Sequence, residues 1–278
     1  MLTVGQKMKK IKKFLEICRE LLCSLLFPLR CPVCDDILEP ENIEKGIHLA
    51  CENKLYPVIG AVCMHCGRPL GHKKSQNDKK IPEYVQPESV VEYCRECLNK
   101  GYVHSNRYKN RSNITQAKAL YRYKGAIKKT MYRFKYANKQ EYARFFAKQA
   151  VSRYSEFLKK MDVIVPVPMY PSKQKLRGYN QAEIFAKELS RVTGIPVEFK
   201  CIRRVKDTIP QKELRDIDRK NNIENAFQKS KNIVQYSQIL IVDDIYTTGY
   251  TAEAVAKELR GQGDCQIYLL SLCIGGNN

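Results

Sequence analysis

Two adjacent carboxylates, Asp243 and Asp244, close an apolar run in the stretch ILIVDDIYTTGYT, residues 239–251, and a loop of hydroxyls around one glycine follows them. If this loop opens a helix, its backbone N–H groups and the hydroxyls of Thr247, Thr248 and Thr251, beside Tyr250, make a seat for a phosphate monoester. Gly249 lets the anion come close to the backbone. A bare phosphate would be repelled by the two acids. They make sense together if the ligand also carries hydroxyls, or a magnesium ion, a few ångströms from its phosphate, as ribose 5-phosphate does. Neither GxxxxGK[ST] nor GxGxxG occurs, so this is not the phosphate loop of nucleotide hydrolases or of dinucleotide-binding folds.

A second chemistry is carried by cysteine. Of twelve cysteines, seven lie between residues 31 and 97, in the pairs Cys31/Cys34 (CPVC), Cys63/Cys66 (CMHC) and Cys94/Cys97 (CREC), with Cys51 in HLAC. Two thiolates on one tight turn share a tetrahedral ion, and two such turns complete a closed structural zinc site. Three pairs make one and a half sites. His48 and Cys51 keep the same spacing and supply the missing half, which predicts Cys31, Cys34, His48 and Cys51 around one zinc and Cys63, Cys66, Cys94 and Cys97 around the other. The spacing alone also permits interleaved pairing. A closed site has no open position, so this zinc is scaffolding and not catalytic.

A third signal is charge. The chain has 49 Lys and Arg against 29 Asp and Glu, a net charge of +20 over 278 residues. The excess is regional: between Arg107 and Lys139 there are eleven basic residues, no acids, and the aromatics Tyr108, Tyr121, Tyr123, Tyr132, Phe134 and Tyr136. Lysines and arginines neutralise backbone phosphates and interleaved aromatics stack on exposed bases, so Lys128, Lys129, Arg133 and Lys135 are candidates for binding single-stranded nucleic acid. An amphipathic helix with aromatic core contacts and a solvated basic face gives the same pattern.

These groups need a frame. The first 29 residues read as a leading amphipathic helix, over about 7–27, with apolar positions Phe14, Ile17, Leu21 and Leu25. Glu16, Arg19 and Glu20 interrupt the run, so no membrane span is expected and the protein reads as cytoplasmic, with its cysteines reduced. Residues 30–104 form the cysteine module, with a polar loop at 71–90. Residues 105–278 form the main domain, which includes a basic segment, 114–160, expected to be helical. From residue 161 strand and helix alternate. MDVIVPVPM, IPVEFKCIRR, QILIVDD and CQIYLLSLCI read as strands, while NQAEIFAKELSRVTG, capped by Asn180, and TAEAVAKELRGQG read as helices. That alternation predicts an α/β fold with a parallel sheet flanked by helices, whose ligands bind where the strands end, at VDD and VPVPM.

The stretch VDDIYTTGYT with its preceding strand resembles the phosphoribosyl pyrophosphate signature of type I phosphoribosyltransferases. RGYNQAE (177–183), QKELRDIDRKNNIENAF (211–227) and the four-knuckle zinc module resemble, more narrowly, the ComF family of competence proteins, over about residues 30–275. The resemblance implies that Asp243 and Asp244 hold the ribose hydroxyls and residues 247–251 the 5-phosphate. It assigns the loop 166–181, with Arg177 and Gly178, to the pyrophosphate, bound with magnesium. The loop 205–220 becomes a closing flap carrying Lys206, Lys212, Arg215 and Arg219. It also implies a role in DNA uptake, with single-stranded DNA and the uptake machinery as partners, either as a transferase or as a non-enzymatic sensor. The glutamine-dependent amidophosphoribosyltransferase reaction is unlike this chain, since residue 2 is Leu where that reaction needs a nucleophilic cysteine. His48 departs from the family pattern, which has cysteine there.

Overall fold

The structure, a computed structural model, describes residues 28–70, 93–102, 112–207, 223, 225–229, 236–260 and 265–275. The leading helix, the polar loop 71–90 and the flap residues Lys212, Arg215 and Arg219 lie outside the described residues. Short helical turns α1 (Pro40–Ile43), α2 (Leu49–Glu52) and α3 (Arg95–Asn99) belong to the cysteine knuckles. They are followed by β1 (Gln116–Arg122), α4 (Ala126–Tyr136), α5 (Tyr142–Leu158), β2 (Val163–Pro166), α6 (Pro171–Arg177) and α7 (Gln181–Thr193). The chain continues with β3 (Ile202–Arg204), β4 (Phe227–Lys229), β5 (Gln238–Tyr246), α8 (Tyr250–Arg260) and β6 (Gln266–Ile274).

Four strands form a parallel sheet in the order β1-β6-β5-β2. The runs Ile239–Val242 and Leu269–Ile274 are buried throughout, as strands covered on both faces must be. Each return to the same edge of a parallel sheet needs a crossover, which α4–α5, α7 and α8 supply. Helix α7 packs on β2 and β5 and against α5, while α8 packs on β5 and β6. Asn180 caps α7 through its Oδ1, which accepts the Ala182 N–H at 3.0 Å, and Gly194 closes the helix at φ +77°.

Two expectations are corrected. The basic segment 114–160 is helical only from Ala126, because Gln116–Arg122 pairs with β6 as an edge strand. IPVEFKCIRR is not one strand of the sheet. Ile195–Val197 makes a single parallel bridge to Ile164, and Ile202–Arg204 turns away to pair antiparallel with β4. The Pro196 carbonyl accepts from the Ile164 N–H at 2.8 Å and the Glu198 N–H donates to the Ile164 carbonyl at 3.0 Å, but Pro196 has no N–H with which to extend the ladder.

The described chain divides into two compact units, one ending at Lys54 and the other starting at Leu55. The first holds the knuckles around Cys31 and Cys51. The second holds the remaining knuckles together with the sheet. Cys63, Cys66, Cys94 and Cys97 share a buried cluster with Ala117, Val163, Ile241 and Val255, so their turns are part of the core that covers one face of the sheet. Gly67 makes the docking possible: it sits at φ +69°, and a Cβ there would lie 2.6 Å from the Ala117 carbonyl oxygen. Beside it the Ala117 N–H donates to the His65 carbonyl at 2.6 Å.

Candidate functional site

Asp243 and Asp244 lie near the C-terminal end of β5, where a parallel sheet opens to ligands. The Asp244 N–H donates to Asp243 Oδ1 at 2.8 Å. Asp244 Oδ2 meets Lys135 Nζ at 2.6 Å, with the two side chains only 18% and 19% exposed. Burial, and after it the charge of Asp244, pushes the Asp243 carboxyl up to about 7, against the pull of Lys135 and Arg204. Burial works to depress the Lys135 ammonium, but Asp244 and then Asp243 outweigh it and hold it above the ordinary lysine value. Desolvation depresses the nearby Arg204 guanidinium. Two acids and two cations thus share one low-dielectric corner that holds its charges at the cost of strained protonation.

A cavity of about 480 Å³ opens above this corner. Lys135, Arg204, Asp243, Asp244 and Thr251 line it together with Met169, Arg177 and Asn180. Its size suits a sugar phosphate with several charged groups. Arg177 ends α6 and is held by a bond to Gln181 Oε1 at 2.8 Å and by the Tyr136 hydroxyl at 3.3 Å, its guanidinium lying 4.9 Å from the Tyr136 ring centre. Gly178 takes φ +86°, and its N–H is spent on the Gln174 carbonyl at 2.8 Å.

Residues 247–251 lead from β5 into α8. Gly249 is buried at φ +83°, and a Cβ there would meet the Tyr246 hydroxyl at 2.5 Å. Of the loop's side chains, Thr251 reaches the cleft, Tyr250 lines a neighbouring cavity of about 420 Å³, and Thr248 faces the zinc knuckle. Lys206, from the expected flap, is exposed at the end of β3.

The basic helix α4 divides its signals. Ile127, Met131, Phe134 and Tyr121 are core, while Lys128 and Lys129 are exposed, as are Tyr132 (65%) and Tyr136 (61%), whose ring centres lie 5.1 Å apart. Arg133 is half-buried. Lys135 is on the cleft side of the same helix, not on the solvated face with which its sequence neighbours group it. Lys135 and Arg204 are charged cleft residues that the sequence pattern did not place there.

The knuckles come together as two quartets. The ligand atoms of Cys31, Cys34, His48 and Cys51, and those of Cys63, Cys66, Cys94 and Cys97, lie within 4.8 Å of one another. A tetrahedral ion with bonds of ~2.3 Å to sulfur spaces its thiolates about 3.8 Å apart. Cys66 and Cys94 Sγ are 3.6 Å apart, so the second quartet fits zinc. In the first, His48 Nδ1 lies 3.2 Å from Cys34 Sγ, and its Nε2 faces the Ile37 carbonyl at 3.1 Å and Glu39 Oε2 at 2.9 Å. That is the arrangement of a ligating histidine, with one ring nitrogen toward the ion and the other N–H oriented by an oxygen. His48 therefore fits as the fourth ligand of a closed, structural type of site, as the four cysteines of the second quartet do.

Residues 22–98 match the double zinc ribbon domain family. Competence protein F of Haemophilus influenzae is 41% identical over 117 residues, 41% of this chain and 51% of its own length, so the alignment spans about half of that relative. Competence protein ComFC of Bacillus subtilis is 26% identical over 84% of this chain and 90% of its own length. The DNA utilization protein YhgH of Salmonella typhimurium is 30% identical over 77% of this chain and 84% of its own. Among solved structures, an adenine phosphoribosyltransferase from Thermoanaerobacter pseudethanolicus aligns with 50% of this chain and 81% of its own at 18% identity, with a TM-score of 0.30, too low to add to what the strand order shows. With its double zinc ribbon leading into a helix-flanked parallel sheet, and with these relatives along most of its length, the chain belongs to the ComF family.

Proposed function

We propose that the cleft binds 5-phosphoribosyl 1-pyrophosphate with magnesium, as a phosphoribosyltransferase-type site serving DNA uptake or utilisation in the cytoplasm. The observation that carries this is the Asp243–Asp244 pair near the end of β5, which lines a cavity of about 480 Å³ together with Arg177, Arg204 and Thr251. Paired carboxylates accept hydrogen bonds from the two ribose hydroxyls, and Thr251 with the loop behind it receives the 5-phosphate. Arg177 and Arg204 supply cations for the pyrophosphate. Magnesium, bound with the ligand, neutralises pyrophosphate and ribose oxygens. As the bond from C1 to pyrophosphate loosens, positive charge grows on the sugar ring and the ionised acids stabilise it. Lys135, 2.6 Å from Asp244 Oδ2, holds that side chain in place meanwhile.

The test is calorimetric titration of the full chain with magnesium phosphoribosyl pyrophosphate. Micromolar binding that vanishes in the Asp243→Asn/Asp244→Asn double variant supports the reading, and a wild-type chain without binding overturns it. Pyrophosphate release on addition of nucleobase or amine acceptors separates a transferase from a sensor.

A second reading has its own support. Tyr132 and Tyr136 stand exposed one helical turn apart, flanked by Lys128 and Lys129, and Arg177 stacks on Tyr136 where the surface meets the cleft. This is a stacking ladder with phosphate-neutralising neighbours, suited to single-stranded DNA. Salt-dependent binding of a single-stranded oligonucleotide, retained in the Asp243/Asp244 double variant and lost in Lys128→Gln/Lys129→Gln, supports it, and the same affinity for all these variants sinks it.

A further inference from the structure

The phosphate loop is held from behind by the second pair of zinc knuckles. Arg68 follows the Cys63–Cys66 turn and Glu96 lies inside the Cys94–Cys97 turn, and the two form an ion pair. Lys100, one helical turn beyond Glu96, donates to Glu96 Oε1 at 2.8 Å. From this pairing two cations reach the loop. Arg68 Nη2 donates to the Thr247 carbonyl at 3.1 Å and the Gly275 carbonyl at 3.4 Å, and Lys100 Nζ donates to the Thr248 carbonyl at 2.9 Å while lying 4.7 Å from the Tyr250 ring centre. All three side chains are two thirds or more buried.

A carbonyl and the N–H of the next residue point in opposite directions across one planar peptide. Fixing the Thr247 and Thr248 carbonyls on the zinc side therefore turns the N–H groups of Thr248 and Gly249 away from it, toward the side where α8 begins. A flip of either peptide would set a carbonyl oxygen against an incoming anion. We propose that Arg68, Glu96 and Lys100 are positioning residues: carried on the zinc turns, they lock these two peptide planes so that the loop presents donors to a phosphate. The zinc site thereby has a task in ligand binding in addition to holding the fold. This rests on the phosphoribosyl pyrophosphate reading of the cleft for the identity of the anion, but the lock itself is a property of the loop.

The variants are Lys100→Met, Glu96→Gln and Lys100→Arg, made in the full chain. Magnesium phosphoribosyl pyrophosphate affinity, zinc content by mass spectrometry and hydrogen exchange of the peptide spanning 246–252 are then measured. Lys100→Met and Glu96→Gln are expected to keep two zinc ions while weakening the ligand about 10- to 100-fold, the loss of well-aligned charge-assisted bonds. Lys100→Arg should recover most of the affinity, which a general loss of packing would not. Loop exchange should quicken in the first two variants without ligand, with the sheet strands unchanged. Wild-type affinity and wild-type loop exchange in zinc-loaded Lys100→Met overturn the lock. If the wild-type chain binds no phosphoribosyl pyrophosphate, the reading of the cleft falls and exchange alone decides: quickened loop exchange upholds the lock, and unchanged exchange refutes it.

Discussion

Asp243 makes the folded state pH-sensitive in the direction opposite to most carboxylates. Its folded-state value is pushed up from 3.8 to about 7 by burial and by Asp244, so between those values the folded chain holds a proton that the unfolded chain has released. Stability then falls as pH rises through that window and stays low above it. The rise from 3.8 to about 7 corresponds to ~4 kcal/mol at about 1.36 kcal/mol per pH unit; because the charge of Asp243 interacts with those of its neighbours, about 2–4 kcal/mol is the working range. Asp243→Asn removes the ionisation and keeps an oxygen to accept the Asp244 N–H. At pH 8 the variant should therefore be more stable than wild type, melting ~5–15 °C higher on the size scaling of domains this large. The gain should shrink steadily toward pH 5. Thermal melts of both proteins at half-unit intervals from pH 5 to 8 give the difference directly, and zinc effects common to the two cancel in it. A variant no more stable at pH 8, or a gain that does not change with pH, would refute the account of a destabilising buried acid. Phosphoribosyl pyrophosphate should raise the wild-type melting temperature and leave that of the variant where it is.

Lys135→Met should cost about 1–3 kcal/mol in urea melts at pH 8, less than a fully buried pair because both side chains keep some exposure, and the cost should diminish at pH 5 as Asp243 takes up a proton. Gly249→Ala and Gly178→Ala both place a side chain at positive φ, at ~1–2 kcal/mol each, but only the first meets an obstacle, the Tyr246 hydroxyl at 2.5 Å. Gly249→Ala should thus lower the melting temperature by several degrees more than Gly178→Ala and abolish ligand binding. His48→Ala should release one of two zinc equivalents in a chelator assay, whereas Cys66→Ser, whose site lies in the core beside the sheet, should give protein that fails to melt cooperatively. Tyr136→Ala should weaken single-stranded DNA by about 5- to 100-fold, the value of one lost stacking partner, and an unchanged affinity would remove that side chain from the interface.

The parts of the site written in consecutive residues were legible in the sequence. A strand, two acids and a threonine-glycine loop need no tertiary information, and the knuckles announce themselves by spacing. Lys135 was not legible in the same way. Among eleven basic residues, only the packing of α4 distinguishes the one that turns to Asp244 from those facing solvent. The strand Gln116–Arg122 was hidden by the lysines and arginines at positions 118 and 122, whose charge suggested a solvated helix. Its identity depends on β6, some 150 residues later, which offers it a partner. The failure of IPVEFKCIRR to run as one strand turns on where the chain leaves the sheet after Pro196, a matter of geometry and not of β-propensity. Arg68 and Glu96 were invisible for a related reason: their partners, Gly275 and each other, are far away along the chain.

The strand order β1-β6-β5-β2 bears on how the protein is made. Synthesis delivers β1, β2 and β5 before β6, yet β6 belongs between β1 and β5. Until it emerges from the ribosome, two apolar strands present raw edges with no neighbour, and Arg68 has no Gly275 to hold. The nascent chain therefore passes through a state with an open sheet and an incomplete brace, exposed to edge pairing with other chains and to chaperones. Insertion of one late strand then closes the sheet and, through Gly275, adds the last contact to the brace behind the loop.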